Sequence, residues 1–501
     1  MDITPIQIYK DYFNNVLDKF SAVEQLISLL ENVENVAIRI ESIAFLEKIG
    51  SKEEKIFNLL ENLLISDSND KVRNCAANAI KSIFLSRALK PMKWALDHEN
   101  SITCLITIVK TLGDIGNFES KSILIENLTK IKNQNFRRTI VQLFKSNKIE
   151  EHSDIKLAEI LINYLIIDYF ENKYNQIDFK LFNGLVSELY LSNVGSNFFK
   201  GRILNNLPSF ISNLTSLKKL DLKINRLKAV PVSIRSLSSL KYLDLSYNQI
   251  KFLPDSIGYL KSLNSIYLRY NNLISIPKSI GLLTSLKILD IRANKLTSLP
   301  NSICNLNALE VLDLHGNQLT ELPESIGSLS SLIELDLGLN NLKSLPEGLK
   351  NIASLKKLGL GGNKSLNFIP EWIGSLHSLN ELHLNDNKLK KIPESIGSLT
   401  SLEELTLRNN QLKELPQSLS SLSSLKILNL SWNNFTDLPK WINSLSSLEE
   451  LNLWGNNLDS LPKSIASLPS LKVLNLNYNK FNNELPKFLR DLEIKGLKIP
   501  R

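Results

Sequence analysis

The sequence predicts an α plus α/β solenoid: helical repeats over the first third, then a curved parallel sheet wound from short coils. Three observations carry that reading. The pattern LxxLxLxxNxLxxLPxxIxxLxx recurs with its Asn at 225, 248, 271, 294, 317, 340, 363, 387, 410, 433, 456 and 479. Each step is 23 residues except one of 24, where Leu366 to Phe368 holds the extra residue. A Pro recurs in parallel from Pro208 to Pro462, with Pro486 one residue late. Residues 1–182 instead space apolar residues three and four apart and hold only Pro5 and Pro91. Strict periodicity of this kind marks stacked units that each bury one face against the next and together display a surface.

Length and charge set outer limits. A chain of 501 residues exceeds what one core usually holds, so two units are expected, 1–182 and 183–501. Residues 1–182 carry 23 Lys+Arg against 25 Asp+Glu, leaving 36 against 26 for the remainder, so net −2 and +10. That balance does not compel a nucleic-acid partner. The three cysteines, Cys75, Cys104 and Cys304, have no paired or metal-ligand spacing, which favours a reducing compartment. The start MDITPIQIYKDYF is a poor secretory signal, and the most apolar stretch (157–170) is interrupted by Glu159, Asn163 and Asp168. A cytoplasmic protein is expected.

In the helical third, segments 36–50, 71–84 and 101–116 align by eye. Each places apolar residues three apart on one helical face: Ile43, Leu46, Ile49; Ala77, Ile80, Ile83; Ile106, Val109, Leu112. Gly50, Gly113 and Gly116 fall where helices should stop, and Asn69 or Asp70 is placed to cap the helix carrying Val72 and Arg73. An acidic cap, a Val-Arg pair and a small-residue helix resemble HEAT-type repeats, with an irregular helical bundle as the alternative. The region then either caps the first coil or offers a second docking surface.

In the repeat domain, Leu220 and Leu222 alternate as a short strand with one buried face. Strands at a 23-residue period must stack in parallel. The Asn ends each strand, and its amide can bond backbone groups the turn leaves unpaired, linking coils. The LPxSIGxL segment supplies a fixed-φ residue and then a helical or 3₁₀ stretch on the outer face. These residues strongly resemble the leucine-rich repeat superfamily, and the LPxxIxxL form is closest to its intracellular Ras-group type. A degenerate first coil at 185–197, with Val194 for Asn, about twelve regular repeats and a short C-terminal cap complete the domain. The Gly-Val-Tyr-Trp motif of the plant Ras-group proteins is absent.

Residues between the buried leucines should project from the concave face. One outward column includes Asp221, Asp244, Tyr267, Asp290, Asp313, Asp336 and His383; the next includes Arg269, Arg292, His315, Arg408 and Trp454. Beside them lie Tyr247, Tyr270, Trp432 and Tyr478, with Tyr242 one position earlier. Two patches are expected: Tyr242, Tyr247, Tyr267 and Tyr270 with Arg269 and Arg292, and Trp432, Trp454 and Tyr478. Exposed aromatics with Arg are the usual anchors of protein interfaces. The competing reading of the Asp column is a feature of the repeat itself, with Lys or Arg neutralising it. A lysine rim (Arg226, Lys228, Lys251, Lys295, Lys343, Lys388, Lys390, Lys391, Lys413) is the rival surface, facing anionic membrane or nucleic acid. A solvated face is the plainer account of it.

No catalytic constellation is legible. GLGGNKS (359–365) lacks phosphate-loop spacing, its Asn363 being a repeat Asn; His377 and His383 share a coil without ligand spacing; Cys304 sits where other coils have Gly. No metal or cofactor is expected. The sequence points to a non-enzymatic scaffold or adaptor with a protein partner, which the family resemblance suggests is a signalling protein such as a small GTPase. Membrane or RNA binding through the rim, and a recognition subunit of an enzyme complex, are the alternatives.

Overall fold

The structure, a computed structural model, describes residues 4–145, 151–174, 177–192, 203–481, 487–494 and 496–500. Two compact units divide at Glu188/Leu189, six residues beyond the boundary expected at 182.

The first unit is built from helices paired in succession, and several begin where a polar side chain accepts from free N–H groups. Helix α1 (Val36–Ile49) is capped by Asn35 and α2 (Asp70–Ile83) by Asn69, whose Oδ1 accepts from Lys71 N at 3.0 Å. All nine residues of the expected apolar stripes are buried. Glycines end α1 and α3 (Ile102–Ile115) in the left-handed conformation, Gly50 at φ +62° and Gly116 at φ +65°. Gly113 does not stop a helix; it lies inside α3, where a Cβ would come within 2.8 Å of Ala158 Cβ. It is a close-packing glycine, bringing α3 against the helix Asp154–Lys173.

The same stack carries a ladder of ion pairs. Arg39, four residues after its cap, pairs with Asp67. Arg73, four after its own cap, holds Glu99 through Nε and Nη2 at 2.7 and 2.8 Å and reaches the Asp67 carbonyl at 2.8 Å. Burial pushes the Glu99 carboxyl up, but Arg73 and the N–H groups of Ser101 and Asn100 outweigh it and hold the group down at about 2.

The second unit contains twelve three-residue strands in strict chain order, from Lys219–Asp221 to Val473–Asn475. Each is parallel to its neighbour with leucine or isoleucine in register, Leu220 opposite Leu243 and Leu243 opposite Ile266. The recurrent prolines each precede a five-residue 3₁₀ segment, as at Val232–Ser236 after Pro231. Pro486 and Val194 lie outside the described residues.

The Asn ladder is the tie between coils. Asn248 Nδ2 donates to Leu222 O (3.0 Å) and Leu245 O (2.9 Å), while its Oδ1 accepts from Leu227 N (2.9 Å). Asn271, Asn294, Asn317 and Asn340 repeat this geometry. The 24-residue coil breaks one rung. There Leu366 N–H turns back to Asn363 O at 2.8 Å, and Asn387 Oδ1 is left buried without a partner. At the end, Lys498 bridges Val473 beyond the helix Lys487–Ile494, with Leu489, Leu497 and Ile499 buried, so this segment covers the last coil.

Candidate docking surface on the strand face

The residue before each ladder Asn has positive φ in every coil, from Ile224 (+56°) through Tyr247, Tyr270 and Trp432 to Tyr478 (+55°), with glycine there only at Gly316, Gly362 and Gly455. The tight turn out of the strand demands this conformation, which most side chains disfavour. It also aims those side chains outward: Tyr247, Tyr270, Trp432 and Tyr478 are 43, 50, 44 and 77% exposed.

The aromatics gather in two places. Tyr247 and Tyr270 stack at 4.6 Å and 10°, Tyr242 and Tyr267 meet at 5.3 Å, and the Arg269 guanidinium lies 5.7 Å from the Tyr247 ring. Lys219 Nζ stands 4.6 Å over Tyr242, whose phenol is pushed up by burial and by the Asp244 carboxylate 3.4 Å away. At the far end Trp432, Trp454 and Tyr478 form a chain with centroids 5.5 and 5.8 Å apart. Gly455 makes room for it, since a Cβ there would sit 3.0 Å from the Trp432 ring.

Arg292 does not join the tyrosines. It lies between Asp290 (3.2 Å) and Asp313 (3.1 Å), two carboxylates whose neighbouring strands would otherwise set like charges side by side. The Asp column also departs from expectation. Asp221, Asp244, Asp290 and Asp313 are buried, and each Oδ1 accepts the N–H two residues on, as Asp244 does from Ser246 at 2.9 Å. Asp336 makes the same bond to Gly338, and Asn429, Asn452 and Asn475 make it in later coils. In these eight coils the column is a turn cap, and Asp313 does not face out as a free contact residue. The replacement of Asp by Asn in the last three coils, which keeps only the acceptor oxygen, is the sequence signal for this.

Burial pushes the Asp313 carboxyl up to about 6, against the His315 N–H and Arg292, which pull it down. His315 Nδ1 lies 3.4 Å from Asp336; His383 meets Thr406 at 2.8 Å and Glu381 at 3.4 Å; Arg408 stands exposed farther along. The column before each strand leucine, of which the sequence reading used only Tyr242, adds Glu334, Lys357 and Glu381, with Lys357 3.6 and 3.3 Å from the two carboxylates. The rim lysines are exposed, and Lys391 pairs with Glu414 at 3.5 Å beside a cleft of about 500 Å³ next to Phe368. Among the described residues no group of three or more His, Cys, Asp or Glu could hold a metal ion, and no helix is long and apolar enough to cross a membrane.

Known proteins share this architecture. The family described as Leucine-rich repeat region matches residues 278–388 and 363–495, and the family described as Leucine rich repeat matches 200–250 and 215–273. A leucine-rich repeat protein of Leptospira interrogans is 34% identical, with 60% of this chain and 82% of that one covered at a TM-score of 0.53. The chain belongs to the leucine-rich repeat family. An internalin of Listeria monocytogenes, 23% identical over 62% of this chain and 86% of its own, shares the fold at a TM-score of 0.54. The PEPR1–AtPEP1 structure is 28% identical over 67% and 54%, with a TM-score of 0.53. No curated protein matches the chain. The two family matches together fall within residues 200–495, in the repeats.

Proposed function

We propose that this leucine-rich repeat protein is a non-catalytic scaffold whose protein partner docks on the concave, strand side through the two aromatic clusters. The leucine-rich repeat fold suggests protein binding. The observation that carries the rest is the pair of aromatic clusters, each built around exposed rings at positive-φ positions (Tyr247 and Tyr270, Trp432 and Tyr478), where bulky residues are disfavoured by the backbone yet held outward. Twelve strands at ~4.8 Å spacing extend about 55 Å, enough for an interface of about 800 Å² per partner. Three free cysteines support a reducing, cytoplasmic setting, and the LPxxIxxL resemblance supports a signalling partner of the small-GTPase kind.

The test is a pull-down from native lysate at low and high salt, comparing wild type with a Tyr247, Tyr270, Trp432, Trp454→Ala variant. The expected result is one protein captured at both salts and lost in the variant. Capture that disappears with salt and ignores the four substitutions would transfer the function to the lysine rim.

A further inference from the structure

Arg269 sits in the tyrosine patch without a counter-charge. Other cations of the strand face have one: Lys223 lies 3.5 Å from Asp221, Arg292 is shared by Asp290 and Asp313, and Lys357 stands between Glu334 and Glu381. Among the described residues Arg269 makes no ion pair and no side-chain hydrogen bond. Its Nε–H is buried without an acceptor, and its guanidinium has only a loose approach to the Tyr247 ring, 5.7 Å away.

The polar groups around it are either committed or unpaired themselves. Backbone bonds from Leu245 N to Tyr267 O and from Tyr247 N to Arg269 O, 2.8 Å each, set Ser246 beside Arg269 on the adjoining coil. Ser246 Oγ is buried and also has no partner, whereas Ser431, at the same place in its own coil, donates its hydroxyl to Asn429 at 2.6 Å. The remaining unpartnered serine hydroxyls, from Ser256 to Ser464, all belong to 3₁₀ segments, so the pair at 246 and 269 departs from the repeat. Asp244 is engaged on both oxygens, by Ser246 N at 2.9 Å and by the Tyr242 hydroxyl at 3.4 Å. On the other side Tyr270 N bonds Arg292 O at 3.0 Å, and the two carboxylates there already hold Arg292. A guanidinium and a hydroxyl thus lie side by side among four tyrosines, each short of an acceptor. Unmatched donors of this kind cost free energy that an incoming acceptor restores.

We propose that the first aromatic patch receives an acidic side chain of the protein partner, an aspartate or glutamate whose carboxylate takes the Arg269 fork while an apolar neighbour lies against the stacked Tyr247 and Tyr270 rings. The count of free charges selects the occupant. One unmatched cation suits the single charge of a carboxylate, whereas a phosphate group, at about −1.5 to −2, needs a second cation, and Lys223 and Arg292 are already matched. A basic side chain is repelled by the same arginine and by a repeat domain of net charge +10. The planar guanidinium can hold a carboxylate through two parallel bonds, and Arg269 can turn to it without breaking any polar contact. The inference rests on the strand-face reading and gives the tyrosine patch its chemistry.

The test uses the full chain and a fluorescein-labelled Gly-Ser peptide carrying three Leu-Glu pairs, with counterparts in which Gln or Lys replaces each Glu, read by fluorescence anisotropy. Wild type should bind the Glu peptide about tenfold more tightly than the Gln peptide, and the Lys peptide least. Arg269→Gln should erase the preference for Glu over Gln. Arg269→Lys keeps the charge and loses the fork, so it should give up about threefold or more of that preference. A general pull of the basic domain on an acidic chain would leave Arg269→Lys as selective as wild type. Both variants should melt with wild type, since the side chain ties nothing within the chain. Lys390→Gln with Lys391→Gln, on the rim, should leave the preference intact. Equal binding of the Glu and Gln peptides, no binding of the Glu peptide, full selectivity in Arg269→Lys, or a preference lost only in the rim variant each overturns the proposal. The Tyr247, Tyr270, Trp432, Trp454→Ala variant should lose both peptides. Glu and Gln peptides bound equally by wild type and lost together in that variant would strike out the carboxylate and leave the aromatic anchors standing.

Discussion

The helical unit and the leucine-rich unit solve one problem with different chemistry, and the difference explains why one is irregular and the other metronomic. Both stack repeats and must tie each to the next. The helices do so with ion pairs, Arg39 to Asp67 and Arg73 to Glu99, which draw two residue types from different helices. Such ties tolerate spacing, and the caps at Asn35, Asn69 and Ser101 stand 34 and then 32 residues apart. The coils use one residue whose amide is both donor and acceptor, so a single Asn reaches the coil before it on both counts. That economy demands an invariant period. One extra residue orphans Asn387 Oδ1.

The comparison can be broken at its ties. Glu99→Gln should have the largest effect, about 3–5 kcal/mol, because it leaves Arg73 charged and largely buried without its carboxylate. Denaturant unfolding of the full chain should show the helical transition shifted and the solenoid transition in place. Leu314→Ala should cost about 2–5 kcal/mol through its cavity, this time in the solenoid transition. Asn317→Ala should cost about 1–3 kcal/mol by stranding the carbonyls of Ile291 and Leu314 and the N–H of Leu296. Wild-type melting of both solenoid variants would sink the coil register.

Acid sharpens the contrast, because ion pairs titrate and amides do not. Glu99 is held at about 2 against an ordinary 4.5, so its stabilisation is present above 4.5 and is lost as pH falls toward 2. Asp313 has the opposite sign. Raised to about 6 from 3.8, it favours the fold at low pH and loses that contribution as pH rises through 6. The smallest effect follows: Asp313→Asn, which keeps the turn cap, should raise the solenoid Tm modestly at pH 8 and leave it unchanged at pH 4. A Tm lowered at pH 8 would show that the Arg292 pairing outweighs the burial of charge.

Much of this was legible because the repeat prints its own constraints. The Leu, Asn and Pro columns specify strand, ladder and 3₁₀ turn, and the outward aromatics follow from the frame. The cap at Asn69 and the stops at Gly50 and Gly116 were equally plain, since they depend only on local backbone geometry. What escaped depends on partners far along the chain. Asp67 and Glu99 lie 28 and 26 residues from their arginines, and nothing local marks them. Gly113 reads as a helix stop until Ala158 arrives against it. Arg292 was grouped with the tyrosines by spacing, but the neighbouring carboxylates of two strands claim it. The Asp column looked outward because alternation gives direction without revealing that a turn N–H waits two residues on.

The most direct test of the strand-face claim is hydroxyl-radical footprinting of the full chain with and without the captured partner, read residue by residue by mass spectrometry. Tyr259, on a 3₁₀ segment, and Phe252 and Phe368, each just before an LP or IP step, are 61, 55 and 51% exposed and serve as internal controls. The account predicts that the partner shields Tyr247, Tyr270, Trp432 and Tyr478 while those three stay as reactive as before. Shielding of Tyr259, Phe252 and Phe368, with the strand-face aromatics unchanged, would contradict it.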